Sequence, residues 1–154
     1  MKLNLKLKEE LRRIKLNDEI EIELKPYLLA EEITSIAENM LKEDNYMTRE
    51  MVKGILLIHY CTNIEVKKDK SGNVIINAEE YDIYNTNGLI ELIENNVNEL
   101  DLIKIEEYIQ YQESMSNVLK YFCKNIEDKI DKVETDLKTK GIFENLLKEV
   151  KESK

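Results

Sequence analysis

Tryptophan is absent, proline and histidine occur once each, cysteine twice and glycine four times in 154 residues. Each scarcity excludes something. The isolated glycines Gly54, Gly72, Gly88 and Gly141 form no GxGxxG or P-loop phosphate cradle. No serine sits in a GxSxG nucleophile elbow. Two cysteines make no disulfide framework, and a chain of this length needs none. Only three of 23 basic residues are arginine, so bidentate recognition of phosphate or carboxylate is not a theme. Long apolar runs are missing too. A membrane span needs about 20 apolar residues in a row, and the longest uncharged apolar run is Gly54 to Cys61. Met1 to Leu16 alternates lysine with leucine and lacks the apolar h-region of a secretory signal, so no signal-peptide export is expected. The expected setting is reducing, and no cofactor is indicated.

Acid is what the chain has in excess. It carries 32 Asp and Glu against 23 Lys and Arg, a formal charge of −9. The excess is local. Residues 78–113 hold ten acids against Lys104 alone, whereas residues 1–16 carry six basic and two acidic groups. A nucleic-acid footprint is basic, so direct nucleic-acid binding is not expected of the fold as a whole.

Period separates the elements. Leu3, Leu5 and Leu7 alternate with Asn4, Lys6 and Lys8, as do Ile20, Ile22 and Leu24 with glutamates, which is the strand period. Antiparallel pairing of these runs across the Asn17-Asp18 turn would set lysine against glutamate. Glu9 to Leu16 either extends the first strand or forms a short helix, and Pro26 ends the second strand. From Leu29 the spacing becomes three and four through Ile33, Ile36, Ala37, Met40 and Leu41, an amphipathic helix. Thr48 is the expected N-cap of the next helix. That helix is apolar nearly all round at Val52, Ile55, Leu56, Leu57 and Ile58, so it is the expected central helix. Ile64 to Ile76 reads as a hairpin about Ser71-Gly72-Asn73, followed by helices from Ala78 to Tyr84 and from Leu89.

The C-terminal third carries the clearest pattern. Ile105, Ile109, Gln112, Ser116, Leu119, Cys123, Ile126, Ile130, Val133 and Leu137 follow a four–three alternation without Pro or Gly from Asp101 to Lys140. Tyr108, Met115, Val118 and Phe122 widen the stripe in its first half, which predicts packing against a body there. Below Ile126 the seam is narrow, as in a coiled coil. Gly141 suits a helix stop, and Ile142, Phe143, Leu146, Leu147 and Val150 form a short final amphipathic helix. The fold expected is mainly α with a small β component: a compact body over 1–123 and a helical arm over 124–154. Too little chain follows Gly141 to cover the seam completely, which favours contact with another chain over a fold-back.

The chemistry-bearing candidates fail on geometry. His59 and Cys61 would need two or three further soft ligands for a structural metal, with only Cys123 available. As a nucleophile pair they would point about 200° apart on a helix. Asp69, Ser71, Asn73 and Glu80 fit positions one, three, five and twelve of a Ca²⁺ loop, but the sixth position, where glycine is required, holds Val74. A metal site and enzyme activity are therefore not expected. Paired carboxylates on 78–113 read as a solvated face. The sharper alternative is that Glu91, Glu94, Glu106 and Glu107 mimic a nucleic-acid backbone, with Tyr81, Tyr84, Tyr108 and Tyr111 adding contact area.

Three segments carry a family resemblance: Met51 to Glu65, Tyr81 to Glu94 with its Gly88-Leu89-Ile90 start, and Val118 to Asp131. In order and rhythm the chain resembles small proteins of the virion-morphogenesis modules of tailed phages of Gram-positive bacteria. The resemblance implies a non-enzymatic structural or assembly protein (capsid-associated, connector or tail-assembly) in the virion or the host cytoplasm. It would work by self-association or by contact with other virion proteins, with no membrane. The partner-binding residues expected are Ile126, Ile130, Val133, Leu137, Phe143, Leu146 and Leu147. The alternative is an acidic inhibitor of a host nucleic-acid-handling enzyme, of anti-restriction or anti-CRISPR type, acting through Glu91, Glu94, Glu106 and Glu107.

Overall fold

A computed structural model describes residues 11–139 together with 141, 145, 148 and 149. The elements in chain order are β1 (Arg12–Lys15), β2 (Glu21–Leu24), α1 (Ala30–Leu41), α2 (Tyr46–Cys61), α3 (Ala78–Thr86), α4 (Leu89–Glu94) and α5 (Glu99–Thr139). The protein is mainly α with one two-stranded antiparallel sheet. Two compact units divide it, one ending at Tyr111 and the other beginning at Gln112.

The expected strand at Leu3 to Leu7 lies outside the described residues. The segment left open between strand and helix is a strand, β1, with Arg13 opposite Glu23, Ile14 opposite Ile22 and Lys15 opposite Glu21. Opposite charges do face each other across the ladder. Arg13 Nε is 3.5 Å from Glu23 Oε1, but the arginine side chain is largely exposed, and such pairs contribute little. The register is set instead by Ile22 and Leu24, both buried on the inner face. Asn17 closes the turn by accepting from the amides of Glu19 and Ile20. The other edge of β2 is joined to the end of α2: the Lys25 amide donates to the Cys61 carbonyl at 2.7 Å, and the Glu23 amide donates to the Asn63 side chain.

No Ser, Thr, Asp or Asn caps α1. Glu32 reaches back to accept from the Leu29 amide at 2.7 Å, and Lys25 Nζ lies 2.6 Å from the same carboxylate. The cap of α2 is Asn45, whose side chain accepts from the Met47 amide. Thr48, the expected cap, lies inside the helix, because Asn45 offers an equally good acceptor one turn earlier. As its composition implies, α2 is buried nearly all round, at Val52, Gly54, Ile55, Leu56, Leu57, Ile58 and Cys61. A Cβ at Gly54 would sit 2.8 Å from Ile90 Cδ1 and 3.0 Å from Tyr81 Cε2. The absence of a side chain there lets α3 and α4 close over α2.

The start of α5 is fastened to the segment before α1. Asn98 caps it through the Leu100 amide and donates its own amide to the Pro26 carbonyl. Asp101, 5% exposed, accepts from the Leu28 amide at 3.1 Å and from Lys104 Nζ at 2.8 Å. Ile105 and Ile109 then complete the core.

The expected body ended at residue 123, with Met115, Val118 and Phe122 packed against it. The division instead falls after Tyr111, and these three side chains are 43%, 61% and 62% exposed. Two turns beyond Asp101 the core of the first unit is already closed by Ile109. The widened stripe is therefore a surface.

Asp101→Ala would leave the buried Leu28 amide without its acceptor, a loss of about 1–3 kcal/mol. Urea unfolding should show that loss, with Asp101→Asn, which retains an acceptor oxygen, losing clearly less.

Candidate protein-binding surface

An isolated helix gains little from its own backbone bonds, and most helical stability comes from packing an apolar face. Residues 112–138 of α5 present such a face with large apolar side chains exposed. Leu119, Ile126, Ile130 and Val133 are between 43% and 59% exposed. Seven, four and three residues apart in turn, they lie on one side of the helix. Lys129, Ile130, Val133, Glu134 and Leu137 line a shallow, predominantly apolar groove of about 360 Å³. Local ties hold the backbone here: Glu134 accepts from Lys138 one turn on at 2.6 Å, and the Thr135 hydroxyl bonds the Asp131 carbonyl. The Lys138 ammonium holds the Glu134 carboxyl below its ordinary value.

Magnitudes indicate what this surface offers. Burying a Val, Leu or Ile side chain contributes about 1.5–3 kcal/mol, against about 0–1 kcal/mol for an exposed ion pair. In any contact made here, burial of the apolar seam would outweigh its charged borders. Of the expected arm residues, Ile126, Ile130, Val133 and Leu137 are brought onto one face. Phe143, Leu146 and Leu147 lie outside the described residues.

The acidic candidates are divided. Glu91, Glu106 and Glu107 are exposed. Glu94 is not free, since Lys53 Nζ from α2 lies 3.0 Å from its carboxylate. Burial alone would pull the Lys53 ammonium down. The Glu94 hydrogen bond and the charges of Glu94, Glu50 and Glu106 outweigh it and hold the group above the ordinary lysine value. Part of the acidic stretch is thus neutralised by a lysine far away in sequence. Tyr81 and Tyr84 are half-buried, and burial raises both phenols. Tyr111 is exposed and available for contact.

The remaining candidates serve local structure. Asp69 accepts from the Ser71 and Asn73 amides and from the Asn73 side chain. These bonds, the Asn73 side chain first, lower its pKa and close the hairpin about Gly72. Cys61 is 1% exposed, and burial pushes its thiol up to about 12. The His59 ring lies tilted by 45° at 4.9 Å from that of Tyr60, and its pKa is lowered first by burial and then by the Lys68 charge. Among the described residues no three His, Cys, Asp or Glu side chains group so as to hold a metal ion. Among the described residues no helix is long and apolar enough to cross a membrane.

Sequence reading missed one feature. The hairpin lies across α1 and α2, enclosing a polar cleft of about 440 Å³ lined by Ser35, Asn39, Lys42, His59, Tyr60 and Asn73 among others. Ser35 Oγ and Tyr60 OH are 2.9 Å apart at its wall. The polar positions on α1 were its only signal. Comparison with protein-family models, curated proteins and solved structures finds no match.

A thiol that remains protonated and enclosed does not react as a nucleophile. In a Cys123→Ser chain, Cys61 should resist a thiol reagent at pH 8 until urea unfolds the protein. Labelling of the folded chain at the rate of a free thiol would contradict the enclosure.

Proposed function

We propose that this chain is a non-enzymatic structural or assembly protein that works by protein–protein contact through the second unit. The observation that carries the reading is the row Leu119, Ile126, Ile130 and Val133, uncovered along one side of α5 and bordered by Met115, Val118 and Phe122, also exposed. Monomeric proteins rarely leave so long a contiguous apolar surface in water without a partner. The virion setting, in a capsid-associated, connector or tail-assembly position, rests on the resemblance in sequence pattern to phage morphogenesis proteins. The acidic-inhibitor reading draws on the exposed Glu91, Glu106 and Glu107, but Glu94 is already engaged by Lys53. A contact face supplied by apolar burial is the stronger of the two.

The test compares the full chain with one lacking residues 124–154 and with the full-length Ile130→Glu, Val133→Glu double variant. Both altered chains should keep a cooperatively unfolding first unit by circular dichroism. Both should be lost from purified particles that contain the wild-type chain. Incorporation of either at wild-type stoichiometry would refute the reading.

A further inference from the structure

The proposed contact function leaves open what meets the seam, and the charges beside it narrow the choice. On the four–three alternation, Ser116, Cys123, Ile130 and Leu137 take one seam position of the heptad (a), and Gln112, Leu119, Ile126 and Val133 the other (d). From Leu119 to Leu137 six successive seam positions are apolar or thiol, on a repeat that wraps helices into a left-handed coil. The flanks are charged on both sides in the lower half. Lys129 precedes Ile130 at g, Glu134 follows Val133 at e, and both line the groove.

We propose that the occupant is a second copy of this chain, paired parallel and in register as a two-stranded coiled coil over residues 119–137. The inference rests on the contact reading above and adds the partner. In a parallel pair each g residue meets the e residue five positions later on the other helix. Lys129 of each copy then faces Glu134 of the other, twice by symmetry, while Met115 faces Lys120 and Phe122 faces Glu127. No like charges meet. The antiparallel arrangement that overlaps Leu119 to Leu137 with itself pairs Lys120 with Glu134, but it sets Glu127 against Glu127 and Lys129 against Lys129 at its centre. Like charges so placed are unfavourable, and the parallel register avoids them. Glu127, Lys129, Glu134 and Asp136 also favour two strands over three or four, because larger bundles bury more of their e and g positions, and burying charge is costly.

The register makes one geometric demand. Cys123, exposed in the single chain, comes beside Cys123 of the second copy on the coil axis. The experiment uses the full chain. Under reducing conditions light scattering should give twice the 18.2 kDa chain mass. Diamide should take two electrons and two protons from the paired thiols and leave a disulfide-linked dimer, which Cys123→Ser does not form. Lys129→Glu should shift the dissociation constant up several-fold, and adding Glu134→Lys should restore it. Ile130→Glu should give the single-chain mass with the urea transition of the first unit unchanged.

A single-chain mass at all concentrations, a trimer or tetramer, or a dimer that diamide does not link through Cys123 overturns the proposal. Failure of this pairing is distinguishable from failure of the contact reading. If the wild-type chain is monomeric yet Ile130→Glu, Val133→Glu still excludes it from particles, self-pairing alone fails and the seam meets a different protein. If the variant is also incorporated normally, both fail.

Discussion

Everything in the first unit follows from the need to surround α2. Val52, Ile55, Leu56, Leu57, Ile58 and Cys61 point around the whole circumference and are all buried, so no single neighbour is enough. Ile33, Ile36, Ala37 and Met40 from α1, Ile22 and Leu24 from β2, Leu89, Ile90 and Ile93 from α4, and Ile105 and Ile109 from α5 share one core with them. At about 1.5–3 kcal/mol per fully buried side chain, this burial outweighs the exposed ion pairs among the described residues. The polar ties direct it. Asp101 and Asn98 secure α5 to the connection before α1, while Lys25 and Asn63 link β2 to the end of α2.

Ile109 closes the core of the first unit, and α5 carries the same four–three spacing past it into the second. On the proposed contact reading, the exposed Leu119, Ile126, Ile130 and Val133 are the face that a partner would complete. The acidic stretch contributes less than its charge suggests, because Lys53 draws Glu94 inward.

Much of this was legible in the residues. The all-round apolar composition of α2, the three–four period of α1 and the alternation in β2 each report burial directly, because period and face are geometrically linked. The point where α5 leaves the body was not legible. Its stripe is the same whether it faces a core or water, and Met115, Val118 and Phe122 look like packing residues until the supply of covering elements is known. The α2 cap was misplaced by three residues because Asn45 and Thr48 are both good caps, and the competition is decided by local geometry. The Lys53–Glu94 pair and the polar cleft beside His59 arise from chain segments far apart in sequence, so no local pattern announces them. The apolar face at Ile126, Ile130, Val133 and Leu137 was legible from spacing alone.

The central claim is that α1, α2 and α4 are stable within the chain itself, whereas α5 beyond Tyr111 depends on association. Amide hydrogen exchange of the intact protein, followed at a low and a hundredfold higher concentration, tests this most directly. Amides of 30–61 should be protected equally at both, and amides of 113–137 should gain protection only at the higher concentration. Unchanged exchange of 113–137 between the two concentrations would contradict the account.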